Sequence, residues 1–109
     1  MLSWKQWEIV VCQRLQLEPA RTKPGESGPD CKCNGEVGGL IVDAKRWSKF
    51  PRWIKRVHAR TRSYAKSDQF PVTVFRDIQD GDDLVLVSLR DFERFVLPAL
   101  QERRRRGWW

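Results

Sequence analysis

A chain of 109 residues, 40% of them hydrophobic, has room for one modest core and leaves almost none for a second domain. Its 21 Lys and Arg exceed its 14 Asp and Glu, a formal net charge of +7, which points to a polyanionic partner, nucleic acid first, through phosphate neutralisation and counterion release. No apolar run approaches the roughly twenty residues of a membrane span, and Met1-Leu2-Ser3-Trp4-Lys5 lacks a signal-peptide layout, so no membrane partner and a cytoplasmic location are expected.

Ser3 as N-cap, Gln6 three residues on and a Leu2/Trp7 staple predict a first helix from about Trp4 to Leu17, stopped by Pro19. Trp4, Val11, Cys12 and Leu15 recur at helical spacing, and Glu8 falls on the same inward face. Glu18 to Gly28, rich in Pro, Gly and charge, reads as an exposed loop. A short strand over Asp30 to Asn34 and a better one over Leu40 to Trp47 follow, joined by Asn34 to Gly39. A tight Asn34-Gly35 turn would set Asp30 opposite Gly39. With all of Asn34 to Gly39 as loop, Cys33 pairs with Leu40 and Asp30 with Asp43, the preferred register because it brings the two acids together.

The segment from about Phe50 to Ala65 predicts an amphipathic helix with Phe50, Trp53, Ile54, Val57, Thr61 and Tyr64 inward, leaving Arg52, Lys55, Arg56 and Arg62 outward. Phe70 to Arg76 and Leu84 to Leu89 form a strand pair, joined by the acidic Asp77 to Asp83, and both look buried on two faces. A last helix near Asp91 buries Phe92, Phe95, Val96 and Leu100, with Pro98 kinking or interrupting it. This order predicts an α/β (α+β) fold: a single domain over residues 1–102, with a central mixed sheet of about four strands flanked by helices, then a basic, aromatic tail over 103–109.

Charge is unevenly placed. Lys45 to Lys66 holds nine Lys and Arg and no carboxylate, whereas Asp68 to Glu102 holds three against eight. Nine like charges would repel one another on a bare solvated face, so a phosphate-binding stripe is expected from Arg46, Lys49, Arg52, Lys55, Arg56, Arg60 and Arg62. Three cysteines, an odd number, give no disulfide framework and suit a reducing compartment with buried free thiols; their spacing with His58 matches no common zinc site. His58, beside Val57 in the basic helix, reads as a helix-surface residue or a phosphate contact.

Residues two apart in a strand share a face, so Asp43 and Lys45 project together while Leu40, Val42 and Ala44 point into the core. Two carboxylates brought together repel unless a cation fills the gap. Mg²⁺, with Mn²⁺ expected to substitute, is the hard ion suited to Asp30, Asp43, the Ala44 carbonyl and, with less weight, Glu8. Such an ion activates water and polarises a phosphodiester, and Lys45 is placed to orient that water or to stabilise the developing charge. The plainer alternative has Asp30 ending a turn and Asp43 pairing with Lys45 or Arg46 at the surface.

Pro29-Asp30, twelve intervening residues and Asp43-Ala44-Lys45 resemble the PD-(D/E)xK nuclease signature, with Asp43 where Glu is commoner. The stretch Gly25-Glu26-Ser27-Gly28-Pro29-Asp30 and the small size look most similar to Holliday junction resolvases and related phage-type nucleases, a grouping that a phage-encoded origin fits. The resemblance implies a restriction-endonuclease-like core, with Asp30 and Asp43 as metal ligands, Lys45 as catalytic lysine and Glu8 as the acid of the first helix. The expectation is thus a metal-dependent endodeoxyribonuclease, structure-selective for branched DNA, with no small-molecule cofactor. Cutting both strands needs two active sites, hence a homodimer. The alternatives are a non-catalytic DNA-binding module and an RNA-processing nuclease.

Overall fold

The computed structural model describes residues 2–19, 31–32 and 40–107. They divide into two compact units, Met1–Trp47 with Val96–Trp109, and Ser48–Phe95.

The first unit begins as its sequence predicts. The Ser3 side chain accepts from the Gln6 backbone N–H at 3.2 Å and the Gln6 side chain accepts from the Ser3 N–H at 2.9 Å, a reciprocal cap that starts helix α1, Trp4–Arg14. Pro19 is not what ends it. Gln16 takes a left-handed φ of 59°, its N–H reaches the Gln13 carbonyl, and the Leu17 N–H reaches that of Cys12 at 2.8 Å, so the last carbonyls are satisfied three residues before the expected boundary. Val11, Cys12, Leu15 and Leu17 are buried along with Ala44 and Leu97, the buried hydrophobic residues of this unit among those described. Trp4, expected on the inward stripe, is half exposed, and Glu8 is half-buried.

Glu18–Pro19 (β1) and Cys31–Lys32 (β2) pair antiparallel, Glu18 opposite Lys32 and Pro19 opposite Cys31. The start of the expected loop is therefore a strand, while Ala20 to Gly28 lies outside the described residues. Leu40 to Trp47 departs from the predicted strand, since Val42 alone makes a bridge. Its two-residue alternation survives: Leu40 and Val42 are half-buried and Ala44 buried, whereas Ile41, Asp43, Lys45 and Trp47 are exposed. The described strands form two separate two-stranded antiparallel sheets and no four-stranded sheet, so the architecture is α+β in this coarser sense.

The second unit holds helix α2, Arg52–Tyr64, and the antiparallel strands β3, Thr73–Arg76, and β4, Asp83–Leu86. In the connection, the Asp77 side chain accepts from the Gln79 N–H at 2.9 Å, and Gly81 takes a φ of 74°, where other residues are strained. Register pairs Thr73 with Leu86, Val74 with Val85 and Phe75 with Leu84. Thr73 and Phe75 meet α2, Phe75 packing edge-on against Trp53 at 5.9 Å. The other face is not buried as expected: Val74 and Val85 are 60% and 64% exposed.

The predicted inner stripe of α2 is displaced. Phe50, Trp53, Val57 and Tyr64 are largely exposed, and the helix buries His58 instead. Among the described residues, the buried side chains of this unit are polar, His58, Thr73 and Asp91, and Phe70 stacks on Phe95 at 4.8 Å.

Ser88 caps the last helical segment: Leu89–Asp91 (α3), a π-helical stretch Phe92–Val96, and Leu97–Arg105 (α4). Pro98 sits in the first turn of α4, where its missing N–H is tolerated, directly after the wider π-helical turn. Arg103, Arg104 and Arg105 are the last turn of α4 rather than a tail, cations suited to the negative end of the helix dipole. Glu102 pairs with Arg105 and Arg106. Among the described residues no helix is long and apolar enough to cross a membrane.

Candidate active site and nucleic-acid surface

Ala44 anchors the candidate site by burying its methyl group, which turns Asp43 and Lys45 outward on the same side of the chain. The Lys45 ammonium lies 3.2 Å from an Asp43 carboxylate oxygen, and their side chains are 70% and 54% exposed. An exposed pair of this kind contributes roughly 0–1 kcal/mol to stability. Ile41 and Trp47, 77% and 58% exposed, flank it, so acid, ammonium and apolar surface share one outward row. This juxtaposition is the one the sequence predicts, and it also matches the plain surface ion pair weighed beside it.

Asp30 lies outside the described residues, and with it the expected pairing of Asp30 with Asp43. Glu8 stands on α1 and is half-buried, on the helix that buries Val11 and Cys12. Among the described residues no three His, Cys, Asp or Glu side chains cluster closely enough to hold a metal. The oxygen donors in the row, the Asp43 carboxylate and the Ala44 carbonyl, are of the type that a hard divalent ion takes.

Cys12 is fully buried and disulfide-bonded, which overturns the expectation of free thiols and removes the cysteine argument for a reducing compartment.

The cationic helix is largely as expected. Arg52, Lys55 and Arg56, at positions one turn apart on α2, are exposed and make no hydrogen bond or ion pair among the described residues; Lys49, just ahead of the helix, is likewise exposed. The first turn of α2 carries no acidic side chain and Pro51 provides no capping side chain, so its unsatisfied N–H groups add to the positive potential there. Three expected phosphate contacts are otherwise engaged. Arg46 donates to the Leu2 carbonyl at 3.3 Å, and Arg60 to the Tyr64 hydroxyl at 3.0 Å. Arg62 does not face outward: it is part-buried and donates to Ser88 Oγ and to Asp91 Oδ2, each at 3.2 Å.

Asp91 and His58 are the groups that sequence reasoning missed. Asp91 is 6% exposed and accepts from Arg62 and, at 2.9 Å, from the Ser88 hydroxyl, which itself accepts from the Asp91 N–H. The Ser88-Leu89-Arg90-Asp91 spacing of a capping box is the signal for it. His58 is 8% exposed, its Nδ1 2.9 Å from Thr73 Oγ1. The Thr73 hydroxyl donates to Thr61 Oγ1, which donates to the Val57 carbonyl. With the hydroxyl proton of Thr73 assigned to Thr61, Nδ1–H is the donor to Thr73 in the neutral ring, which leaves Nε2 as its acceptor. It is buried and has no hydrogen-bond partner among the described residues. The spacing Phe50, Ile54, His58 marks this helix face in the sequence.

No family model, curated protein or solved structure matches this chain.

Proposed function

We propose that the chain is a metal-dependent endodeoxyribonuclease, structure-selective for branched DNA, and that the observation carrying this reading is the outward Asp43–Lys45 pair at 3.2 Å in a chain whose α2 presents unpaired cations. The reading includes a restriction-endonuclease-like core with a central sheet of about four strands, and a site completed by Asp30 and Glu8. Arg52, Lys55 and Arg56 hold the phosphate backbone, contacts that position a duplex without reading its sequence. Asp43, with the Ala44 carbonyl, Asp30 and Glu8, would hold Mg²⁺, or Mn²⁺ in its place. Bound there, the ion supplies an activated water and Lewis-acid polarisation of the phosphate. Lys45 donates hydrogen bonds to a non-bridging phosphate oxygen and offsets the charge that grows on it as water attacks. Because the pair is exposed, both groups can reach a polymer lying across the surface.

Two sites are required to cut both strands, and we place the contact between copies on the open face of β3 and β4, where Val74 and Val85 are exposed and the Arg76–Asp83 pair at 3.6 Å borders them. The second reading is a non-catalytic DNA-binding module, in which Asp43 and Lys45 form a plain surface ion pair.

Incubating labelled four-way junction, flap, linear duplex and single-stranded DNA, and an RNA of the same sequence, with Mg²⁺ or EDTA separates these readings. Metal-dependent cutting of a branched DNA supports the nuclease. Binding of every DNA with cutting of none supports the module, and cutting of RNA alone an RNA-processing enzyme.

A further inference from the structure

The face of α2 carrying Ile54, His58 and Arg62, with Phe50 just ahead of the helix, borders a cavity of about 260 Å³ that Leu86 and Val87 also line. Its lining is apolar apart from four residues, Lys55, His58, Arg62 and Ser88. Arg62 and Ser88 are committed to each other and to Asp91; the Lys55 ammonium has no partner among the described residues; and His58, more than nine-tenths buried, brings an Nε2 that nothing among the described residues satisfies. A buried ring nitrogen left without a partner is destabilising in either tautomer, and with the threonine relay holding the proton on Nδ1 the group that would satisfy Nε2 is a donor.

A ligand suited to this cavity has a flat apolar body, an N–H donor on its edge and a negative charge attached to it. The volume lies below the roughly 300–1,000 Å³ of pockets for drug-sized molecules, so it accepts a single small ring system. We propose that the cavity takes one unstacked nucleobase of a DNA strand, an N–H of the base edge donating to His58 Nε2, Phe50 covering a ring face, and the adjoining phosphate meeting Lys55. The proposal rests on the reading of α2 as the DNA-contacting helix. Nε2 is sealed from solvent in the empty cavity, so the base reaches it as Phe50, which is 45% exposed, and Ile54 swing aside. A base within a duplex cannot enter, whereas one at a junction or in a single strand can, because it has already lost its partner.

Fluorescence anisotropy with a labelled single-stranded dA12 oligonucleotide, against a fully abasic strand of equal phosphate number, tests this. The expected result is at least about tenfold tighter binding of dA12 by the native chain. His58→Asn keeps an N–H at the Nδ1 position for Thr73 and removes the acceptor, so it lowers that ratio about fivefold and leaves abasic binding unchanged. Ala59→Met fills the cavity without touching His58 and brings the ratio near one. Equal affinity of the native chain for both strands, or a native ratio in both variants, overturns the pocket while the DNA-binding reading stands. Failure to bind either strand overturns both.

Discussion

The three unpaired cations of α2 allow a numerical prediction. Arg52, Lys55 and Arg56 are exposed, lie on one helix face and make no ion pair among the described residues, so each is free to neutralise a phosphate. Each phosphate contact on B-DNA changes the slope of log K against log salt by about 0.9, so replacing all three by Gln should reduce the slope by about 2.7. Extrapolated from about 1 M salt, where the counterion contribution vanishes, the same contacts are worth about eightfold each at about 0.1 M, or about 500-fold together. Anisotropy titrations of a labelled duplex across a salt series measure this directly. The triple variant should unfold with a nearly unchanged midpoint, because none of the three side chains makes a hydrogen bond or ion pair among the described residues. Parallel salt plots for native and variant chains would refute the placement of phosphate on this face.

Three further outcomes follow from the packing. Asp91→Ala strands Arg62, and because the Arg62 side chain is about a third exposed the loss falls short of that for a fully buried pair, about 2 kcal/mol, or roughly 8 °C in the thermal midpoint followed by circular dichroism. A shift below about 2 °C would show that the node does not hold the second unit. Gln16→Gly relieves a left-handed non-glycine residue at about 1 kcal/mol but removes the side-chain contact with Gln101, so the urea midpoint should rise by about 0.5 kcal/mol of stability; a fall would mean that the Gln101 contact outweighs the backbone strain. For the proposed homodimer, replacing Val74 and Val85 by Lys should yield monomer in sedimentation velocity; dimers that persist would move the interface elsewhere, and a native chain that is monomeric would remove the dimer itself.

What the sequence made legible is local. The Ser3–Gln6 cap, the Asp77 to Asp83 turn and the two-residue alternation through Ala44 depend on neighbouring residues, and each appears as its spacing predicts. Partner choice is not local. The pairing of Glu18–Pro19 with Cys31–Lys32 joins a Pro-bearing segment that propensity assigns to loop, and the left-handed Gln16 ends α1 without the glycine that usually signals such a cap. On α2, hydrophobicity pointed to Val57 and Tyr64, but Thr61 and Thr73 supply a hydrogen-bonded seat that buries His58 in their place. Arg62 was counted as outward by charge alone, whereas Asp91, 29 residues away in the chain, draws it in. Within the candidate site, Asp43 and Lys45 were legible because alternation alone sets them side by side; the role of Asp30 depends on a pairing beyond the described residues.

The most direct test of the nuclease reading compares native chain and Asp43→Ala on one labelled four-way junction, scoring cleavage and binding in parallel with Mg²⁺ and with EDTA. The exposed Asp43–Lys45 pair itself contributes little stability, and an unchanged thermal midpoint of the variant, measured alongside, shows that a loss of activity reports chemistry rather than folding. The account predicts Mg²⁺-dependent cutting by the native chain, a fall of about a hundredfold or more in the variant, and binding that is retained. Cutting that survives the substitution, or a native chain that binds the junction and never cuts it, contradicts the account.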